Sequence, residues 1–541
     1  MRSKHTFFQN YLPIIALLLS VIAVYAGSLS AQFVFDDFTF FSTPGVIPNY
    51  SHIPLEPRGL SYATLSWTVG WFGLDAYWLR LGNVLLHAAN AIALFFLLRR
   101  LFQVTLANDT AADAPQPGLT GFAFLGALIF ALHPVAVYGV AYLIQRSTLM
   151  ATLFVLLMLI AYLEGLLRGG WQWMIAAALC YFAAVFSKEH SVMAPGVALA
   201  LTLLIRKPSV ALLKQTAPYY ILILFTSITA LVVLSARGIL GQAYEPHALV
   251  MLEQFAKMHG LAGLADLPDP HLLSILTQSA LFFKYLWLWL LPNPGWMSVD
   301  MREPFALSLF SWTHTLWLAA FLAYFCGAVW LLLKRGKTGL LGFALLFPWI
   351  MFLTEFSTVR IQEPFVLYRS YLWIPGLFAA LPLAFGWLKP ARAYALLTTL
   401  CLLLVPLTLN RLHTFATPLL LWDDAEKLVR DKPNALGVER VYYNRGTELG
   451  KLKRYEDAID DFNQAIAAHP FDYLYGNRAT AYYFLGRYRE ALRDYDRAIA
   501  LNSSNPNSFQ GRALVYRALG DFAAAQEDFR KSCELGLCQQ D

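Results

Sequence analysis

Two adjacent carboxylates, Asp36 and Asp37, stand in the run Phe33-Val34-Phe35-Asp36-Asp37-Phe38, directly behind the first long apolar stretch of the chain. A carboxylate held near membrane depth is costly without a partner, so such acids mark functional sites. Desolvation and a like-charged neighbour raise a carboxyl pKa toward neutrality, which suits a general base acting on a hydroxyl. Charged groups recur beside later apolar stretches: Gln145-Arg146, Ser187-Lys188-Glu189-His190, and the set Glu355, Arg360, Glu363 and Arg369. A guanidinium pairs two phosphate oxygens and an ammonium adds a point charge, so Arg146, Lys188, Arg360 and Arg369 are the expected phosphate holders. His133, followed by Pro134, and His190 lack the spacing of a metal-ligand motif and read as helix-end histidines. A divalent ion could use Asp36 and Asp37 with Glu189 or Glu363, although two adjacent acids alone make no octahedral site. No phosphate-cradling glycine loop, GxSxG elbow or HExxH helix occurs.

The elements that must position these groups are membrane helices. Of 541 residues, 58% are hydrophobic and 14% charged, where soluble chains carry roughly a quarter charged residues. This excludes an ordinary soluble enzyme and a disordered chain. Stretches near the roughly 20 residues needed to span run over 11–31, 78–98, 119–138, 148–166, 171–186, 191–205, 218–236, 312–333, 340–356, 371–388 and 393–410. That predicts about eleven spans. The stretch 272–291 contains Lys284 and ends in Pro292-Asn293-Pro294-Gly295, so it is expected to be re-entrant or interfacial. Lys and Arg resist translocation, and Arg2, Lys4, Arg99, Arg100, Arg168, Arg206, Lys207, Lys214, Lys334, Arg335, Lys337, Lys389 and Arg392 then share one side, the cytoplasmic one. Of the acids before position 421, Asp109, Asp113 and Glu164 share it, and the others collect opposite. An odd number of spans places the C-terminal part outside; counting 272–291 as a span would reverse this. The first stretch exceeds the roughly 7–15 residues of a signal-peptide core and is expected to stay as an anchor. Asn83, His87 and Asn90 share a helix face and are expected to hold helices together.

The charge balance changes near position 420. Residues 1–420 carry 24 Lys/Arg and 16 Asp/Glu, and residues 421–541 carry 17 and 19. In the charge-rich part, Asn444-Arg445-Gly446 with Tyr455, Ala458, Phe462 and Ala465 recurs as Asn477-Arg478-Ala479 with Tyr488, Ala491, Tyr495 and Ala498. It recurs again as Gly511-Arg512-Ala513 with Phe522, Ala525 and Phe529. A period of roughly 33–34 residues with small residues at the helix crossings is the tetratricopeptide pattern, and stacked repeats form a groove suited to an extended peptide or helix. The predicted architecture is all-α: a polytopic membrane bundle over 1–420 and a tetratricopeptide α-solenoid over 421–541. Among five cysteines, Cys533 and Cys538 alone are placed to pair, and a disulfide or two free thiols both remain open. No basic stripe with interleaved aromatics points to nucleic acid.

Taken in order, several short runs resemble the transmembrane-and-tetratricopeptide-repeat proteins of the GT-C glycosyltransferase superfamily, whose animal members are O-mannosyltransferases of the secretory pathway. They are Phe33-Val34-Phe35-Asp36-Asp37; Asn83, Leu86-His87 and Asn90; Ala131-Leu132-His133-Pro134; Gln145-Arg146-Ser147; Ser187-Lys188-Glu189; Tyr368-Arg369-Ser370-Tyr371-Leu372; and Trp422-Asp423-Asp424-Ala425. The likeness runs over nearly the whole length. It implies a GT-C-type bundle that moves a sugar from a polyprenyl-phosphate carrier with inversion, independent of metal. Asp36 would be the base and Asp37 would position the acceptor or its protons; the superfamily often has Asp-Glu here, and this chain has Asp-Asp. The substrate-binding set would be His133, Gln145, Arg146, Lys188, Glu189, Glu363 and Arg369. Expected partners are the lipid-linked sugar donor, membrane lipids and a protein acceptor recruited by the repeats. The three repeats, where animal relatives carry many, suggest a compact bacterial form in the inner membrane with the repeats periplasmic. The rival readings are a glycan or lipid acceptor, and a non-enzymatic assembly factor working through the repeats.

Overall fold

The computed structural model describes residues 2–106, 117–243, 245 and 247–538; Asp109 and Asp113 lie outside them. It is 78% helical and, among the described residues, has no strands. The chain divides into two compact units, Met1–Met297 with Phe305–Thr417, and Ser298–Pro304 with Pro418–Asp541.

In the first unit, eight described helices are long and apolar enough to cross a membrane: Tyr11–Ser28, Ala76–Leu106, Leu143–Arg168, Val210–Ala236, Pro270–Leu290, Trp312–Leu333, Gly336–Ser357 and Pro390–Thr414. Gly118–Ala131 and Pro134–Val140 form a bent pair at 51°. The bend falls at His133-Pro134: Pro134 lacks an amide donor, and the Val135 amide donates instead to His133 Nδ1 at 3.2 Å. Trp171–Ser187 and Glu189–Ile205 are shorter apolar helices separated by Lys188 alone. Each of the eleven expected stretches is largely helical, with two changes, the first being the bend that divides 119–138 at Leu132-His133. Over 371–388 the single expected helix is broken into Ser370–Trp373, Pro375–Ala380 and Leu381–Phe385, because Pro375 and Pro382 remove ladder donors.

Polar residues tie the bundle at the places where helices cross. On Ala76–Leu106, Asn83 Nδ2 donates to the carbonyls of Val140 and Leu143 at 3.2 and 3.3 Å. One turn on, His87 meets Tyr371 Oη at 2.7 Å and the Ala131 carbonyl at 2.9 Å. Asn90 Nδ2 then donates to the Leu149 carbonyl at 3.0 Å. These three residues are the expected glue.

Pro270–Leu290 is one continuous helix of 21 residues despite Lys284. The chain from 356 to 370 runs along it. His271 Nε2 meets the Phe356 carbonyl at 2.6 Å, Gln278 Nε2 the Pro364 carbonyl at 2.7 Å, and Trp289 Nε1 Ser370 Oγ at 3.0 Å. At its far end, the Trp289 carbonyl meets His133 Nε2 at 3.1 Å. Both ends of this helix therefore lie beside chain that caps one and the same end of the bundle.

In the second unit, the helix pairs Glu439–Lys451 with Tyr455–Ala468, Asp472–Phe484 with Tyr488–Leu501, and Pro506–Leu519 with Phe522–Glu534 follow Pro418–Val429. An Arg-Asp pair closes each repeat across its two helices: Arg445–Asp461 at 2.6 Å, Arg478–Asp494 at 2.7 Å and Arg512–Asp528 at 2.8 Å. The same arginines reach back to the preceding helix, on Glu426, Asn463 and Asp496. The segment Ser298–Pro304 joins this unit through Asp300, which pairs with Arg302 at 2.5 Å and with Arg440 at 3.8 Å. Cys533 and Cys538 form a disulfide.

Candidate functional site

A cavity of about 200 Å³ is lined by Asp36, Arg58, Ile144, Gln145, Lys188, His190, Glu245, Arg360, Gln362, Glu363, Tyr368 and Arg369. It gathers six segments, the outermost more than three hundred residues apart in sequence. Each charged group arrives through a break between helices, where backbone leaves the regular ladder and side chains can converge.

Asp36 opens a short helix, Asp36–Ser42, and the residue before it is strained. Phe35 has φ 55° and ψ −132°, a conformation that a bulky L-residue rarely holds without support. The support is local: the Phe35 ring packs edge to face on Tyr142 at 5.5 Å, and Tyr142 Oη donates to Asp36 Oδ2 at 2.7 Å. Burial, and then the Asp36 charge, push the Tyr142 phenol well above its ordinary range, so it stays a donor. The adjacent Asp37 turns the other way and is completely buried. It accepts the amides of Leu143 and Ile144 at 3.2 and 3.0 Å. Burial pushes its pKa up to about 7, against the nearby Arg80 guanidinium and these amides. Arg80 in turn fixes the chain on both sides of the site. It donates to the carbonyls of Ala31 at 3.2 Å, Ala141 at 2.6 Å, and Gln32.

The opposite wall is cationic. Lys188 is buried, with Nζ donating to Gln145 Oε1 at 2.9 Å and Thr148 Oγ1 at 2.7 Å, and it lies 5.1 Å from the centre of the Tyr368 ring. Burial first, and then the positive charge of Arg58, hold its pKa well below the usual lysine range. A bound anion would shift it back upward. Arg360 and Arg369 flank the buried Glu355, at 3.3 and 2.9 Å, and His190 Nε2 lies 3.3 Å from its other oxygen. Glu245 and Glu363 stand 4.0 and 3.8 Å from Arg369. Burial lowers the affinity of Arg369 for its proton, but Glu355 and the neighbouring phenols outweigh this and hold the pKa well above the ordinary value. Arg58 closes the rim. It occupies the left-handed region at φ 66° and binds Glu189 with both ends of its guanidinium, at 3.2 and 2.7 Å.

The cavity thus brings together Asp36, Gln145, Lys188, Glu363 and Arg369 of the expected site. Four expected residues are placed elsewhere. Arg146 is buried among protein acceptors, donating to Asn83 Oδ1, the Thr64 carbonyl, Thr68 Oγ1 and the Leu79 carbonyl. These ties pin three helices, and Gly82 leaves the room: a Cβ there would sit 2.7 Å from the guanidinium. His133 caps the bent pair and stacks on Trp289 at 4.2 Å. Glu189 is held by Arg58 just outside the cavity lining. Asp37 braces the loop at Leu143 and Ile144 behind Asp36. Arg58, Tyr142, Glu245 and Gln362 line or hold the site and were not expected from the sequence. Arg58 follows Glu56-Pro57 in a long loop without periodicity, and Tyr142 sits three residues before the singled-out Gln145, which is the one local signal that points to it. Among the described residues no group of three or more His, Cys, Asp or Glu is placed to hold a metal ion.

With this geometry in view, the class of the molecule is a multi-pass membrane protein carrying tetratricopeptide repeats. Residues 439–472 and 473–505 match one tetratricopeptide-repeat family model, and 506–535 match another. The chain is similar to protein O-mannosyl-transferase TMTC2 of Mus musculus and of Homo sapiens. Each is 28% identical over 196 residues, a match that covers 32% of this chain and 21% of the relative. The chain therefore spans about a fifth of the length of these curated relatives. Among solved structures it is similar to the second tetratricopeptide domain of Spaghetti (RPAP3) bound to the HSP90 peptide SRMEEVD. That match has 33% identity, covers 18% of this chain and 91% of the other, and has a TM-score of 0.18.

Proposed function

We propose that this chain is an integral-membrane glycosyltransferase that moves a sugar from a polyprenyl-phosphate donor to a hydroxyl of a protein acceptor on the extracytoplasmic face, inverting the anomeric centre. The observation that carries the reading is the single cavity in which Asp36 shares walls with Arg58, Lys188, Arg360 and Arg369. The acceptor hydroxyl gives its proton to Asp36 as its oxygen bonds to the anomeric carbon, and the bond from that carbon to the phosphate oxygen breaks with its electron pair. The departing phosphate carries the growing negative charge, and fixed cations in a water-poor cavity stabilise it with little reorganisation. The similarity to a protein O-mannosyl-transferase supports a hydroxyl on a protein as acceptor and a hexose as the transferred group. Asp37 acts through structure, holding the loop that carries Tyr142 and Ile144.

The cavity also supports an orientation. If Pro270–Leu290 crossed the membrane, three crossings would separate Glu245 from Arg360, and the two would face opposite compartments. Their shared cavity, and the contacts at both ends of that helix, support an interfacial helix and two crossings. The cavity and the C-terminal repeats then share one side. Arg99, Arg100, Arg206, Arg335 and Arg392 lie on the other, which the positive-inside rule makes cytoplasmic. The Cys533–Cys538 disulfide supports an oxidising compartment for the repeats, and we place the protein in a bacterial inner membrane with the repeats periplasmic.

The test is intact-mass comparison of envelope proteins from cells carrying wild-type or Asp36→Asn protein. A hexose-sized mass loss on specific proteins is the expected result; an unchanged profile with normal protein levels would refute the reading. Glycans and lipids from the same cells check the alternative acceptors.

A further inference from the structure

A second cavity, of about 380 Å³, lies between Ala76–Leu106 and Leu143–Arg168. It is far from the first. Gln145 and Glu164 are on one helix, and 19 residues at 1.5 Å each separate their positions by roughly 28 Å. One cavity therefore sits at each end of the bundle.

The walls differ in kind. Arg99, Arg100 and Gln103 stand on one helix, and Leu157 and Ile160 with the exposed Phe96 make an apolar wall. Glu164 also lines this cavity, but it is committed: Arg100 Nε pairs with it at 2.7 Å and Arg168 at 2.5 Å. Arg100 and Arg168 remain 30% and 63% exposed, so both keep donors turned to solvent. Arg100 and Arg168 share the single carboxylate of Glu164, so this group of three carries one net positive charge. Guanidinium groups above an apolar cleft, at the end of two helices apolar enough to span, match a phosphodiester head with an acyl chain below it. Basic pockets between spanning helices take anionic head groups by this arrangement.

We infer that this cavity binds an anionic glycerophospholipid, with the phosphodiester on Arg99, Arg100 and Gln103 and an acyl chain along Phe96, Leu157 and Ile160. A zwitterionic choline lipid fits it poorly, because its ammonium would meet the same arginines. The site is separate from the transferase cavity, and the inference stands whether or not sugar transfer is observed.

The experiment uses the full-length protein in mild detergent, titrated with dioctanoyl phosphatidylglycerol or dioctanoyl phosphatidylcholine and read by native mass spectrometry. Phosphatidylglycerol should bind at least tenfold more tightly than phosphatidylcholine. The Arg99→Gln/Arg100→Gln variant should weaken it roughly fivefold for each arginine removed. Since Arg100 also holds Glu164, Ile160→Trp provides the second variant: it fills the cleft and leaves every charge in place, and it should abolish the preference. Equal binding of the two lipids, or unchanged binding in Ile160→Trp, overturns the inference. A polyprenyl monophosphate arm separates the sources. Loss of that ligand in Ile160→Trp, with phosphatidylglycerol retained, would also overturn it.

Discussion

Asp36 and Asp37 are neighbours in the chain and opposites in environment. Adjacent positions at the start of a helix point about 100° apart, so one carboxyl enters the cavity and the other the packed interior. The pair was visible in the sequence as a pair. Its division of labour was not, because what separates the two is the loop at 142–144, more than a hundred residues away. Arg146 shows the same limit: its charge is visible at once, while the four acceptors that occupy it come from two other helices. The buried carboxyl has a consequence for pH. In the unfolded chain Asp37 titrates near 3.8, and in the folded protein near 7. Its folded pKa is the higher one, so its contribution to stability is complete below about 4 and is lost as pH rises through 7. At roughly 1.4 kcal/mol per unit, the full loss is on the order of 4 kcal/mol. Melting in detergent should therefore show the wild type losing stability relative to Asp37→Asn across this range; parallel pH profiles for the two proteins would remove the basis of this prediction.

Helices were legible where hydrophobic runs are long and uninterrupted, and less so where a proline or a lysine breaks the run. Lys284 does not break Pro270–Leu290, whereas Pro375 and Pro382 do break the next-to-last apolar stretch. The reason is that lysine keeps its backbone donor and can extend its stem along apolar surface, while proline has no donor to give. The repeats were the most legible part, since periodic small residues and aromatics state the crossing points directly. Their recurring Arg445, Arg478 and Arg512 were read as spacing, and the structure adds that each closes its repeat on an aspartate 16 residues on. Asp494 has only 6% of its side chain exposed, so Arg478→Ala leaves a buried charge unpaired and should cost about 3–5 kcal/mol. Arg454→Ala breaks an exposed pair with Asp457 and should cost under about 1 kcal/mol. Chemical melts of the two variants compare these directly, and equal losses would show that the ladder contributes no more than a surface pair.

The composition announced a membrane protein, and the positive-inside pattern predicts a side for the short basic loops. What the sequence could not state is that segments from 36 to 369 meet in one cavity, because convergence of loops leaves no periodic trace. That convergence makes the topology testable for the molecule as a whole. In a background without Cys180, Cys326 and Cys401, Ala265→Cys and Leu291→Cys flank the helix Pro270–Leu290 at exposed positions. A membrane-impermeant maleimide should label both from outside spheroplasts. Labelling of one alone until the cells are lysed would make that helix a crossing and dissolve the proposed common face.

The small contribution of Ser298–Pro304 to the C-terminal unit carries a consequence for biosynthesis. This piece leaves the ribosome more than a hundred residues before the helices it joins, which at roughly 5–20 residues per second means several seconds or more of waiting. Solenoids depend on a closed first repeat, and here Asp300 and Arg302 help to close it at Arg440. The first repeat is therefore completed by a segment that was made well before it.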